Sequence, residues 1–234
     1  MVRSEHFVAR PRQALWLAGA LLTVFVVLAA LVPTGPLAIE ARWSAWVVRR
    51  RTPALTNAAL AINDLGLGWG RALTLTAIAL PLLARRRWLA LAALALAEAL
   101  TPLVTSLTKA ILDRPRPPAG LVHAAGSAFP SGHAAYAATT CVAVVLLYSP
   151  PGHGRRWWWM LAALTIAAIA LSRTYLHVHW LLDVIAATAL GAGVAVATFA
   201  ATQIGAALWR VAPRVPATAA VDAKGTSGSG RDRA

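Results

Sequence analysis

The stretch WLALAALALAEALTPLVTSLTKAILDRPRP, residues 88–117, joins a long apolar run to a charged connection. Between Trp88 and Leu107 the run contains one ionisable residue, Glu98. A helix needs about twenty apolar residues to cross the hydrocarbon core of a bilayer. The run therefore predicts a membrane-spanning helix that ends near Lys109, where the charged residues begin.

The composition of the whole chain also favours a membrane protein. Of its 234 residues, 59% are hydrophobic and 13% are charged, and the mean hydropathy is +0.63. A soluble domain carries charge on about a quarter of its residues, so this chain lacks the polar surface that water requires. The net charge is +14, but most arginines lie between apolar stretches, which indicates topology signals and lipid-headgroup contacts rather than nucleic-acid binding. The single cysteine, Cys141, excludes a disulfide framework and a cysteine-based metal site within one chain.

Six apolar runs predict an all-α, polytopic membrane protein with six transmembrane helices. These runs are 14–32, 67–84, 88–107, 134–148, 157–172 and 181–209. The fourth run is short, and its helix could begin earlier, within residues 131–133. The first run is longer than the apolar core of a signal peptide, which favours an uncleaved anchor.

Basic residues between the runs predict the orientation of the chain. Arginines 85–87 and 155–156 lie in alternate connections, and further arginines flank the first and last runs. Because cytoplasmic loops are enriched in Lys and Arg, residues 1–13 and 210–234 are expected to be cytoplasmic. The second of these segments is small, polar and glycine-rich, so most of it is expected to be disordered. Arginines 49–51 argue the other way, but their segment is also compatible with an amphipathic interfacial helix.

Three groups of polar residues lie near the span ends that are predicted to face outward. Lys109, Arg116 and Arg173 offer a point charge and two planar guanidinium groups, a suitable set for a phosphoryl group. Ser131 and Gly132 lie at a predicted helix start, where backbone N–H groups and the helix dipole attract an anion. This pattern predicts a phosphate site on the outer face of the membrane.

Two histidines near these cations suggest covalent catalysis. His179 and Asp183 are four residues apart, so on a helix they would share a face and could hydrogen-bond. A carboxylate on one ring nitrogen fixes the tautomer and leaves the other nitrogen free to attack. His133 supplies a second imidazole that can act as a general acid. No cluster of carboxylates indicates a metal, so we expect no metal or cofactor and assign the positive charge to the protein itself.

Two further charged residues have alternative interpretations. Arg114 could contact either the phosphate or lipid headgroups. Glu98 lies eleven residues before Lys109, which returns it to nearly the same helix face. It is a candidate for supporting the lysine, or it makes a structural polar contact elsewhere in the bundle.

Three motifs resemble the signatures of the type 2 phosphatidic acid phosphatase (PAP2) superfamily. They are KAILDRPRP at 109–117, PSGH at 130–133 and SR-x5-H-x3-D at 172–183, within a matching region of about 67–193. The resemblance implies a helical core like that of the PAP2 phosphatases and haloperoxidases, a phosphohistidine on His179, His133 as leaving-group acid and no metal. It also implies that five residues hold the phosphate: Lys109, Arg116, Ser131, Gly132 and Arg173.

The resemblance thus predicts a membrane lipid phosphatase, and the apolar runs predict that its membrane domain spans residues 14–209. Its substrate would be a phosphomonoester or pyrophosphate of a lipid, such as polyprenyl pyrophosphate, phosphatidic acid or phosphatidylglycerol phosphate. Two alternatives remain open at this point: a lipid phosphotransferase with the same intermediate, and a non-enzymatic lipid-phosphate carrier. Vanadium haloperoxidases share the motifs but are soluble, which the apolar runs argue against.

Overall fold

The computed structural model describes residues 6–66, 68–149 and 154–211, and within these ranges it contains helices and no strand. Eight helices follow one another within these ranges. They are α1 (Pro11–Leu31), α2 (Ala38–Arg49), α3 (Pro53–Leu65), α4 (Gly68–Ala84), α5 (Trp88–Ile111), α6 (Gly132–Tyr148), α7 (Arg155–Tyr175) and α8 (Leu181–Val211).

The predicted count of six membrane spans is not confirmed. Four of the described helices, α1, α5, α7 and α8, are long and apolar enough to cross a bilayer. A fifth span results if α3 and α4, which are bent by 63° relative to each other, are counted together. Helix α6 is apolar but has only 17 residues, because it begins at Gly132 and ends at Tyr148. This start is the earlier one that the sequence left open.

The segment between the first two predicted spans is more ordered than the sequence indicated. It forms α2 and α3. Thr52 is the N-cap of α3, and its hydroxyl accepts the backbone N–H of Leu55 at 3.3 Å. Arg50 lies over the ring of Trp46, 4.4 Å from its centre, and Arg51 donates to the carbonyl of Tyr175 at the end of α7. Both helices pack against α7.

Helix α8 forms the centre of the bundle and packs against α1, α5, α6 and α7. Its crossing with α6 is so close that a Cβ atom at Gly191 would lie 2.1 Å from the carbonyl oxygen of Ala135. At the same crossing, the Thr139 hydroxyl is 2.8 Å from that of Thr101 on α5 and 3.2 Å from the Gly191 carbonyl oxygen. Small residues therefore let three helices meet where hydroxyl groups hydrogen-bond across them.

The two ends of the bundle have different contacts. At one end the Gln203 side chain of α8 accepts the backbone N–H groups of Phe7 and Val8 at 2.7 and 3.0 Å. Arg155 donates to the Phe7 carbonyl oxygen, so the start of α7 meets the N-terminal segment there. Helices α5 and α7 finish at the other end, where α6 and α8 begin. The tail that was expected to be disordered lies outside the described residues from 212 onward.

The α6–α8 crossing gives a test of the packing. We expect Gly191→Ala to lower the melting temperature in detergent by several degrees, because the new Cβ must displace the backbone of α6. Gly205→Ala on the same helix is the matched control, since a Cβ there meets nothing within 4 Å. The melting temperatures are measured by tryptophan fluorescence. Equal values for the two variants would contradict the close crossing of α6 and α8.

Candidate active site

A buried ion network lies where α8 begins. The Arg114 guanidinium donates to Asp183 Oδ1 at 2.5 Å and to Glu40 Oε2 at 2.6 Å. Arg114 is 2% exposed, and the two carboxylates are fully buried. An ion pair taken out of water is costly unless its remaining hydrogen-bonding positions are satisfied. Here the carboxylates are satisfied further, because the backbone N–H of Trp180 donates to Asp183 Oδ2 at 2.8 Å, whereas Arg114 Nε has no partner among the described residues.

Glu40 is a site residue that the sequence analysis did not identify. It lies in the first turn of α2, and it accepts the backbone N–H groups of Leu37 and Leu182 at 2.9 and 3.0 Å. It thereby joins α2 to the start of α8. The one available signal was its rarity, since the chain contains only eight acidic residues. Nothing in the local pattern around Glu40 indicates that its partner lies 74 residues away.

His179 is held by a backbone carbonyl and lies close to Asp183. It precedes α8 and does not belong to the helix, so the expectation that His179 and Asp183 share a helix face is wrong. Its Nδ1 lies 2.7 Å from the Ala128 carbonyl oxygen and 3.5 Å from Asp183 Oδ2. Because a carbonyl only accepts, Nδ1 carries the proton, and the lone pair is on Nε2.

The free nitrogen of His179 faces a cation. Nε2 lies 3.3 Å from the NH1 atom of Arg116, so it accepts from the guanidinium group. Burial lowers the pKa of His179 to about 4, although the hydrogen bond and charge of Asp183 oppose this shift. The imidazole is therefore neutral at pH 7, which is the nucleophilic form.

Lys109 and Arg116 hold the segment that carries Ala128. Lys109 Nζ donates to the Ser127 carbonyl oxygen at 2.5 Å, and Arg116 donates to the same oxygen at 3.2 Å. Arg116 also donates to the carbonyl oxygens of Gly126 at 3.0 Å and Val178 at 2.8 Å. The two cations therefore order the backbone around His179 and lie within the same cluster as its free nitrogen.

The start of α6 presents backbone donors and a second imidazole. Ser131 is the N-cap, its N–H donates to the Asp183 carbonyl oxygen at 3.1 Å, and its buried hydroxyl has no partner among the described residues. Gly132 and His133 follow in the first turn of the helix. His133 Nε2 is buried and also lacks a partner within the described ranges. A Cβ at Gly66 would lie 2.4 Å from the His133 ring, so only a glycine fits beside it.

Arg173 lies at the end of α7 and is 3% exposed. Its NH1 atom donates to Asn63 Oδ1 at 2.6 Å, which places Asn63 of α3 in the site as well. Gly132, His133 and Lys109 line one cavity of about 270 Å³. The structure thus brings the predicted residues to the same end of the bundle, although Arg173 contacts none of the others directly through a hydrogen bond.

Glu98 lies deeper in the bundle and does not contact Lys109. Its Oε1 accepts the Thr140 hydroxyl at 2.8 Å, and its Oε2 is 3.6 Å from Arg71 on α4. Arg114, the other residue with two interpretations, is buried in the ion network rather than exposed to headgroups. Within the described ranges, no three His, Cys, Asp or Glu side chains are grouped so that they could hold a metal ion.

Comparisons with known proteins agree with this arrangement of helices. A family model of the PAP2 superfamily matches residues 88–205, which is just over half of the chain. This matched region begins and ends later than the region of about 67–193 that the motifs indicated. The fold is similar to the crystal structure of a transmembrane PAP2-type phosphatidylglycerolphosphate phosphatase from Bacillus subtilis. That match has a TM-score of 0.67 and 24% identity over 85% of this chain and 98% of the other.

LpxE from Aquifex aeolicus is also similar in fold, with a TM-score of 0.56 and 23% identity. The match covers 69% of this chain and 95% of LpxE. No curated protein sequence matches the chain. At these identities the two solved structures show the fold, and the family match rests on the sequence of α5 to α8.

The ion network predicts a large effect of Glu40 on stability. We expect Glu40→Ala to lower the free energy of unfolding by roughly 3–5 kcal/mol, because it leaves the buried Arg114 with one counter-charge fewer. Asp113→Ala is the matched control: this acid is exposed, and its loss should change stability by less than about 0.5 kcal/mol. Urea unfolding in detergent measures both, and similar midpoints would refute the structural role of Glu40.

Proposed function

This chain belongs to the PAP2 superfamily, and on that premise we propose that it is a membrane lipid phosphatase. The observation that carries the proposal is the state of His179. Its Nδ1 is committed to the Ala128 carbonyl, while its neutral Nε2 lies 3.3 Å from the Arg116 guanidinium. A phosphoryl group bound by that guanidinium would meet a nucleophile that is already oriented and deprotonated.

The reaction would proceed through two displacements at phosphorus. His179 Nε2 forms a bond to phosphorus while the bond from phosphorus to the lipid oxygen breaks, and the protonated imidazole of His133 donates its proton to that oxygen and becomes neutral. Water then attacks the phosphohistidine and loses a proton to His133, which releases inorganic phosphate and restores His179. Atoms and charges balance with the lipid phosphate and one water as reactants.

Asp183 would act mainly on charge and position. The Nδ1–H of His179 becomes more acidic as Nε2 forms its bond to phosphorus, and a carboxylate 3.5 Å away favours the cationic ring. Arg114 and Glu40 hold that carboxylate in place. The contact of Nδ1 with the Ala128 carbonyl would thus orient the ring, and the contact with Asp183 would stabilise its positive charge.

Protein cations would stabilise the transition state. Lys109, Arg116 and Arg173 are the candidates for the phosphoryl oxygens, together with the N–H groups at the start of α6, where Ser131 and Gly132 lie. Because these groups supply positive charge at the reacting centre, we propose that the reaction needs no metal ion. The contacts that Lys109 and Arg116 make with backbone carbonyls would have to be shared with phosphate.

Substrate candidates are lipids whose phosphate lies at the headgroup level: polyprenyl pyrophosphate, phosphatidic acid and phosphatidylglycerol phosphate. Transfer of the phosphoryl group to another acceptor, which would make the protein a phosphotransferase, differs from hydrolysis only in the second displacement. A carrier without catalysis would need neither a neutral His179 nor a second imidazole. The presence of both His133 and His179 therefore supports an enzyme.

The proposed orientation places the site outside the cytoplasm and both termini inside. In its support, Arg87 donates to the Leu147 carbonyl oxygen and Arg155 to that of Phe7, so these arginines lie at the end of the bundle opposite to His179. Arginines 49–51 lie at the site end, where Arg51 donates to Tyr175 and Arg50 stacks on Trp46. These contacts give Arg50 and Arg51 a structural role, so the position of their segment outside the cytoplasm is compatible with the proposed orientation.

The reaction is tested with purified protein in detergent that contains EDTA. We expect the wild type to release inorganic phosphate from at least one candidate lipid. His179→Ala should form no phosphoenzyme, and His133→Ala should lose roughly 100- to 10,000-fold in turnover, as removal of a general acid does. With p-nitrophenyl phosphate, whose leaving group needs no proton, His133→Ala should still trap phosphate on the protein after a rapid acid-free quench.

His6→Ala is the matched control, because His6 is exposed and precedes α1. Phosphate trapped on His179→Ala would overturn the assignment of the nucleophile. Activity lost in EDTA and restored by magnesium would overturn metal independence. Transfer of phosphate to an added alcohol without release of inorganic phosphate would identify a phosphotransferase.

Cysteine labelling of intact cells tests the orientation. With Cys141 replaced by alanine, a cysteine at Ala119 should react with a membrane-impermeant maleimide, because this exposed residue follows α5 at the site end. A cysteine at Gly154, exposed at the opposite end, should react only after the cells are opened. The reverse pattern would invert the proposed topology.

A further inference from the structure

The cavity that contains His133 extends into the bundle between α4, α5 and α6. Its outer part is lined by Lys109, Gly132 and His133, and its inner part by polar residues of all three helices. Its volume is about 270 Å³. The inner lining residues used below are Arg71, Glu98, Thr105 and Tyr136.

The inner wall contains charges that the proposed reaction does not use. Glu98 is 8% exposed, and its partner Arg71 lies over the ring of Tyr136, 4.6 Å from the ring centre. Ionisable residues within membrane spans are costly and usually face a polar cavity with a function. Glu98 Oε2 is in the ion pair with Arg71 at 3.6 Å but has no hydrogen-bond partner among the described residues, so a donor in the cavity would add a hydrogen bond to it.

Thr105 shows the same feature nearer to the phosphate site. The other threonines of α5, Thr101 and Thr108, donate to the carbonyl four residues earlier, at 2.9 and 2.8 Å. The Thr105 hydroxyl is buried and has no partner in the part of the chain that the structure describes. A buried hydroxyl without a partner costs about 1–3 kcal/mol, so a ligand that bonds to it would recover this energy.

In-line displacement determines which part of a substrate this cavity would meet. The leaving oxygen lies on the side of phosphorus opposite to the attacking His179. His133, which would protonate that oxygen, lines the cavity, whereas His179 is absent from its lining. The cavity therefore lies at the leaving-group end of the site. This step rests on the proposed function.

We propose that the cavity binds the leaving alcohol and selects one that carries hydroxyl groups. The substrate class is then a lipid whose phosphate is on a polyol headgroup, rather than directly on a hydrocarbon chain. Thr105 lies one helical turn from Lys109, close to where the first hydroxyl beyond the phosphate would lie. Glu98 is about 16 Å from Lys109 along α5, and its ion-pair partner Arg71 lies beside it on α4. There the pair would meet more distant polar groups of the headgroup.

A hydrocarbon leaving group would fit this wall poorly. It would cover Glu98 Oε2 and the Thr105 hydroxyl without hydrogen bonds, and a site with unpaired buried polar groups discriminates strongly against such a ligand. A hydroxylated group instead donates to the carboxylate and exchanges a hydrogen bond with Thr105. Selectivity would come from the cavity wall, while the phosphate site treats both leaving groups alike.

The test compares two lipids that differ by one hydroxyl group. One is dioleoyl phosphatidylglycerol phosphate, and the other carries a propane-1,3-diol phosphate headgroup that lacks only the central hydroxyl. In the wild type we expect kcat/KM to be roughly tenfold higher for the glycerol lipid, the effect of one buried hydrogen bond. Thr105→Val should bring this ratio close to one, and Glu98→Gln should lower kcat/KM for both of these polar headgroups relative to farnesyl phosphate.

Thr108→Val is the matched control on the same helix, because Thr108 does not line the cavity and bonds to its own helix. It should keep the wild-type ratio. Equal kcat/KM for the two lipids in the wild type, or an unchanged ratio in Thr105→Val, would overturn the inference and leave the phosphatase function standing. A faster reaction with farnesyl phosphate would do the same. Absence of phosphate release from all three lipids would instead contradict the proposed function itself.

Discussion

The site depends on one buried guanidinium group. Arg114 binds two carboxylates that are fully buried, one on α2 and one on α8. A cation without partners in this place would be strongly destabilising, and so would either carboxylate. The start of α8, the turn that carries His179 and the first helix after α1 are therefore ordered together. Residues from three distant parts of the sequence must fold as a unit before the candidate nucleophile is oriented.

A second set of contacts orients the candidate nucleophile, His179, on this framework. Lys109 and Arg116 bind the carbonyl groups of the segment that precedes α6, and the Ala128 carbonyl in that segment accepts from His179. The cations thus have two roles in the proposed reaction, because they order the backbone and provide charge for phosphate. Since carbonyl oxygens are weaker partners than phosphate oxygens, a bound phosphate would compete with these carbonyls for the same side chains.

The bundle also explains how a polar cavity can lie among apolar helices. Glycine at 66 leaves room for the His133 ring, and Gly191 lets α6 approach α8, so α6 faces a space bounded by α4 and α5. Polar side chains of α4, α5 and α6 line that space, and among them Glu98 and Thr105 are buried. In the proposed reaction, cations would hold the phosphate of the substrate, and the leaving alcohol would lie in this separate polar cavity.

Sequence alone determined the class of the protein and suggested most of the residues of its candidate site. Apolar length predicts helices directly, because a helix must be long enough to cross the bilayer. Three motifs that contain Lys109, His133 and His179 resemble the signatures of the superfamily that the family model then matched. Sequence could not count the spans, since α6 is shorter than a bilayer requires and α3 and α4 are bent. Nor could it place His179 outside α8 or find Glu40 and Asn63. Those features are decided by contacts between residues about 50 to 140 positions apart, which no local pattern encodes. The tertiary structure decides them because buried charges must find partners wherever the packing of helices brings them together.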